Sequence, residues 1–239
     1  YSSAASDVYK RQLIYACLLD FIAPIFVPNI RFIGFEEVHC GLSQLGQFIS
    51  SELKIISTAT TGSAHIDKAF AEKLNLTIRT LKEDSDLLAQ LTPAAEMAWA
   101  LILALSRNIV GAVAHTRENL WVREKFAGLM LKGKVLGILG CGRIGSWVAR
   151  YGKAFDMKVI GFDPYIKGDL DIDMVGKFEL ASRADIISIH VHLDQSTEHL
   201  IDKDFLGKVK PTAIIVNTSR GAVVDESAVL SSIKNKALS

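Results

Sequence analysis

The hexapeptide Gly140-Cys141-Gly142-Arg143-Ile144-Gly145 constrains this chain more than any other stretch, because of what flanks it. The apolar run Val135–Leu139 before it reads as a short buried strand, and residues 144–155 after it carry helical spacing. Three glycines between a strand and a helix have three separate jobs. The first permits a tight turn, the second lets an anion approach backbone amides, and the third lets helix and strand pack closely. The free amides and dipole at the start of a helix favour a pyrophosphate. Gly140, Gly142, Arg143, Ile144 and Gly145 are therefore candidate dinucleotide-binding residues. Asp163 follows Gly145 by 18 residues, at the end of the next apolar run, close to the separation expected of a carboxylate that accepts ribose hydroxyls. Its charge would repel an added 2′-phosphate by on the order of several kcal/mol before screening, at ~4 Å and an effective dielectric of ~20. The expected cofactor is thus NAD. The plainer alternative is a bare turn that Asp163 caps ahead of Pro164. For Arg143, a pyrophosphate contact and a solvated helix face stand equally.

Further strands are expected over residues 157–162, 184–190 and 213–217, with helical segments between them and Asp225 as N-cap of a last helix over residues 226–236. Strands alternating with helices imply right-handed crossovers and a doubly wound parallel sheet, an α/β fold. Upstream, residues 54–58 and 76–80 read as strands around a helical pattern over residues 66–74. Thr92 before Pro93, with Glu96 in the first turn, marks a helix start. Residues 94–105 are apolar nearly all round, which predicts a buried helix. The more polar residues 111–120 are expected to cross to the next domain. Residues 1–12 resemble translated adaptor sequence and are set aside. The expected division is a partial first domain over residues 13–112 and a second over residues 113–239, truncated at its C-terminus.

Composition narrows the partners. The 27 basic and 26 acidic residues leave a net charge of +1, so no field draws nucleic acid or an anionic membrane surface. Residues 13–27 are apolar but interrupted by Asp20 and Pro24, too short a run to span a bilayer. Lys10 and Arg11 ahead of them imitate a signal peptide without a clear cleavage site. Cys17, Cys40 and Cys141 are odd in number and widely spaced, which suggests neither a disulfide framework nor a metal site and points to a cytoplasmic setting.

Five blocks, in order, resemble the D-isomer-specific 2-hydroxyacid dehydrogenase family. They are Thr60-Thr61-Gly62-Ser63-Ala64-His65-Ile66-Asp67, residues 92–96, residues 136–145, residues 190–197, and Asn217-Thr218-Ser219-Arg220-Gly221. Residues 121–126 and 149–165 look closest to phosphoglycerate-dehydrogenase-like members. The resemblance implies a flavodoxin-like substrate domain followed by a Rossmann domain, and hydride transfer between NAD and a small D-2-hydroxy or 2-keto acid. It implies that Arg220 is the catalytic arginine, whose guanidinium fork can grip the substrate carboxylate and polarise its carbonyl. The alternative is an arginine paired to a helix end. Ser63 and Ala64 match a loop whose amides meet the substrate carboxylate, although an ordinary glycine-containing turn fits equally. His190 and Thr197 fall in the cofactor-lining loop, with His192 where the family usually has proline, and Thr218 matches a residue beside the nicotinamide amide.

The family's catalytic Glu and His lie downstream of the arginine, and no histidine follows His199 here. The chain is accordingly expected to be a piece of a longer, homodimeric enzyme. A non-catalytic NAD(H)-sensing corepressor is the competing class, since such proteins keep the arginine. A methyltransferase fits the Arg220 block poorly.

Overall fold

The computed structural model describes residues 54–58, 61, 66–83, 85–166 and 171–235. The chain forms two compact units that part between Gln90 and Leu91. This lies upstream of the 112/113 division read from the sequence. The physical reason is that the apolar helix following Pro93 packs onto the second unit.

In the first unit, strands β1 (Ile55–Thr58) and β2 (Thr77–Thr80) pair in parallel around helix α1 (Lys68–Lys73). Asp67 caps α1 by accepting the Phe70 amide at 3.0 Å. Ile56, Ile66, Ala71 and Leu76 are buried together beneath Phe70 and Ile78. A short helix α2 (Ser85–Gln90) ends the unit. Ser63 and Ala64, with the rest of residues 62–65, lie outside the described residues.

The second unit opens with α3 (Pro93–Ser106) and α4 (Ile109–Arg117), separated at Asn108, which takes a left-handed conformation (φ 50°). Thr92 does not cap α3 with its side chain. Its hydroxyl donates instead to the Glu96 carboxylate one turn on. Nor is α3 buried all round. Ala95, Ala98, Trp99, Ile102 and Ser106 are buried, while Met97, Leu101 and Leu105 are exposed. The buried face rests on α5 (Arg143–Ala154) and on strand β7 (Ile214–Asn217). Trp99 fixes that contact by donating to the Val148 carbonyl at 3.2 Å and stacking on Phe155 at 4.8 Å. Truncating a buried aromatic of this kind costs about 3–5 kcal/mol.

The remaining elements are β3 (Val135–Leu139), β4 (Lys158–Phe162), β5 (Asp173–Met174), α6 (Lys177–Arg183), β6 (Ile186–Ile189), α7 (Lys203–Leu206) and α8 (Glu226–Lys234). The five strands run parallel in the order β5-β4-β3-β6-β7. Chain direction across the sheet therefore reverses between β3 and β6, the place where ligands settle in open α/β sheets. Side chains alternate across the pleat. Leu136, Ile138 and Ile186 face the core shared with α3 and α5, whereas Leu139, Ile187 and Ile189 face the core with Leu180 and Phe205. Asp225 caps α8 through the Ala228 amide, as its place in the sequence predicts.

Candidate functional site

Strand register builds the site. Leu139 pairs with Phe162 on one side and Ile189 on the other, and Ile189 pairs with Asn217. One residue farther on, at the carboxyl ends of the strands, the chain sets Asp163, Gly140, His190 and Thr218 in a single row. All four were singled out in the sequence as cofactor contacts, and the fold brings them together.

The glycine turn is shaped by what surrounds it. Gly140 has φ +87°, and a Cβ there would also stand 2.6 Å from the His190 carbonyl oxygen. A Cβ on Gly145 would stand 2.1 Å from the Gly140 carbonyl oxygen, so α5 could not start where it does. Gly142 differs, since a Cβ there would meet no protein atom within 4 Å. Packing does not require that glycine. Space kept clear at the mouth of a helix whose N-cap makes no side-chain bond is what an anionic phosphate group needs.

Asp163 is half-buried and already engaged. Its Oδ2 accepts the Cys141 amide at 3.0 Å, and its Oδ1 accepts the amides of Tyr165 at 2.9 Å and Ile166 at 3.3 Å. A carboxylate offers about four acceptor positions, which leaves room on Oδ2 for a hydroxyl donor. The capping and ribose-binding alternatives are thus compatible in one side chain. The Cys141 thiol points inward, fully buried. Burial first, and then the Asp163 charge, push it up to about 12.

Arg143 donates to the Leu91 carbonyl at 2.7 Å, tying the turn to the segment that leads into α3. Neither alternative weighed in the sequence included that partner. Ile144 is half-buried against the α3–α5 core. The Thr197 hydroxyl is taken up in its own loop, donating to the His192 carbonyl at 2.5 Å and accepting the Asp194 amide at 2.8 Å.

His190 has its Nε2 2.8 Å from Ser188 Oγ and its Nδ1 3.5 Å from Thr218 Oγ1. Burial pulls the ring down to about 4, so it stays neutral at ordinary pH. Ser188 went unnoticed in the sequence. The signal was present, because a lone serine in the buried run Ile186–Ile189 needs a partner and His190 lies two residues on, on the same face. Beyond Thr218, Arg220 is exposed and donates to the Ser219 carbonyl at 2.9 Å. Asn217 steadies this turn by accepting the Ser219 amide and donating to the Arg220 carbonyl.

A comparison with known families assigns this arrangement. Residues 99–239 match the family model described as D-isomer specific 2-hydroxyacid dehydrogenase, NAD binding domain. The chain belongs to that family. The turn and acid described above are therefore part of the family's NAD-binding domain, and NAD is the cofactor they fit. The chain is similar to D-3-phosphoglycerate dehydrogenase of Methanocaldococcus jannaschii, with 36% identity over 190 residues, which cover 77% of this chain and 35% of that protein. Its similarity to glyoxylate reductase of Aeropyrum pernix is 37% over 210 residues, or 83% of this chain and 60% of that protein. Among solved structures, apo D-lactate dehydrogenase of Escherichia coli superposes with a TM-score of 0.74 at 29% identity, covering 87% of this chain and 65% of that one. The chain thus spans about a third of the length of the phosphoglycerate dehydrogenase it matches and under two thirds of the other two. These family relatives are dehydrogenases and reductases, and they lend no support to the corepressor alternative.

Proposed function

We propose that the protein interconverts a small D-2-hydroxy acid and its 2-keto acid, with NAD as the hydride carrier. The observation that carries this reading is the exposed Arg220, two residues past the cofactor row at the same end of the sheet. When bound, NAD would supply or accept the hydride through its nicotinamide. The amides after Gly142 would hold its pyrophosphate, and Asp163 its adenosine ribose. Arg220 orients the acid through its carboxylate and draws charge onto the carbonyl oxygen as hydride arrives. His190 is unsuited to supply the accompanying proton, since a ring neutral down to about pH 4 is a poor acid near neutrality.

Phosphoglycerate-like acids are the favoured substrates, a reading supported by relatives such as the M. jannaschii enzyme. The same reading takes the protein as cytoplasmic and homodimeric. The exposed Met97, Leu101 and Leu105, spaced four residues apart on α3, supply an apolar stripe for a second copy. Sedimentation at several concentrations checks the dimer.

The decisive experiment is isothermal titration of the NADH-bound protein with 3-phosphohydroxypyruvate, glyoxylate and pyruvate. Binding of at least one keto acid, and its loss in Arg220→Gln, is the expected result. No keto-acid binding in the presence of saturating NADH would refute the assignment.

A further inference from the structure

We infer that His190 is a positioning residue, whose imidazole ties Ser188 inside β6 to Thr218 past the end of β7 and so fixes the β6–β7 side of the cofactor row. The role rests on the NAD-dependent reading above for the identity of the ligand, but the bridge itself is a property of this chain.

Three independent features converge on this ring. Ser188 is completely buried in a strand otherwise made of isoleucine, and an unpaired hydroxyl in that place is destabilising. His190 Nε2, at 2.8 Å, is the partner given by the fold. Register then sets Thr218 opposite His190, one step past the Ile189–Asn217 pair, with its hydroxyl 3.5 Å from Nδ1. That distance is at the long end for a hydrogen bond, so the ring holds Thr218 less tightly than Ser188.

The third feature is the backbone. The His190 amide donates to the Leu139 carbonyl at 2.7 Å, and its own carbonyl lies where a Cβ on Gly140 would collide. One residue therefore supports the pyrophosphate turn with its peptide and Thr218 with its ring. A neutral imidazole has one donor and one acceptor nitrogen, so it can link two hydroxyls in a directed chain. The Ser188 end of that chain is closed off by the core. The chain can hold an orientation but cannot pass a proton through to solvent.

The test is NADH titration by fluorescence on the full 239-residue chain, comparing His190→Ala, His190→Asn and His190→Gln, with melting temperatures measured alongside. Losing the bridge should weaken NADH binding about tenfold in His190→Ala, the equivalent of one lost hydrogen bond. His190→Asn, which keeps a polar atom near the Nδ1 position, should recover most of that loss. His190→Gln, which reaches only toward Ser188, should recover melting temperature more than affinity. A His190→Ala variant that melts lower yet binds NADH within twofold of the parent would overturn the inference, as would Asn performing no better than Ala.

If the parent chain binds no NADH at all, the cofactor reading fails and the bridge is judged by NMR alone. The ring nitrogens should show one fixed neutral tautomer from pH 5.5 to 8, and that pattern should be lost in Ser188→Ala. A ring titrating near its ordinary value with Ser188 intact overturns the bridge.

Discussion

The two flanks of the cofactor row are built on different principles. On the β3–β4 flank, Asp163 spends its carboxylate on three backbone amides, and Gly140 donates to the Phe162 carbonyl at 2.9 Å. Shape there is fixed by main-chain bonds. On the β6–β7 flank, the links are side chains: the Ser188–His190 contact, the long approach to Thr218, and an exposed Arg220 whose described bond reaches only its neighbour's carbonyl. A cofactor common to a whole family suits the first kind of construction. On the second flank only the exposed Arg220, beyond the row, can change without disturbing the turn.

Substitutions can break this contrast, beginning on the rigid flank. Gly145→Ala should have the largest effect, because its Cβ would collide with the Gly140 carbonyl, a backbone group that cannot move aside as a flexible side chain could. Overpacking of this kind should cost roughly 3 kcal/mol of stability and weaken NADH at least ~100-fold. Urea denaturation and NADH titration measure both, and a variant that folds and binds normally would remove the claim of rigidity. Asp163→Asn comes next. It keeps an acceptor oxygen but removes the charge, so NADH affinity should fall about tenfold and the preference over NADPH should shrink by a similar factor. On the adaptable flank, Arg220→Lys should leave NADH affinity within about twofold while weakening keto-acid binding to the NADH complex about fivefold to tenfold, since the planar fork is lost. If NADH affinity fell as far as keto-acid affinity, the two flanks would not be separable.

The smallest effect is expected at the opposite end of the sheet. Asp185 accepts the Val135 amide at 2.8 Å and the Lys210 ammonium at 2.9 Å. Burial alone would raise its carboxyl, but the Val135 amide and Lys210 outweigh that and hold it below the ordinary value. A carboxylate lowered in the folded state adds stability above its unfolded pKa of about 3.9, and that stability is lost as pH falls through the folded value. Lys210→Met should therefore lower stability at pH 7 by less than about 1 kcal/mol, as half-exposed pairs do, and by less still near pH 3. Thermal melts at the two pH values check it. An equal loss at both would show that the lysine stem, rather than its charge, matters.

Much of the fold is legible in the amino-acid sequence. The runs that form β1, β3, β4, β6 and β7 are largely apolar or β-branched, and Asp225 stands where a cap belongs. The glycine turn and Asp163 were legible because their spacing reflects one local unit. What escaped the sequence depends on partners far along the chain. Two residues, Asp173 and Met174, cannot show a period, and they become a strand only through β4. Whether α3 is covered on all sides or on one was decided by Trp99 meeting Val148, 49 residues away. Arg143 found a carbonyl 52 residues upstream, which no motif encodes. Thr92 lost its capping role to a competing partner, Glu96, close enough to have been foreseen.

The buried thiol of Cys141 has a practical consequence. It sits inside the turn, against the space that Gly161 leaves open by lacking a side chain, and is held protonated to about pH 12. Alkylating reagents need a thiolate that they can reach, so labelling of this cysteine must wait for the turn to open. Its modification rate is thus a clock for local opening, readable by peptide mass spectrometry without any introduced dye. A dinucleotide that clamps the turn should slow that clock in proportion to its occupancy.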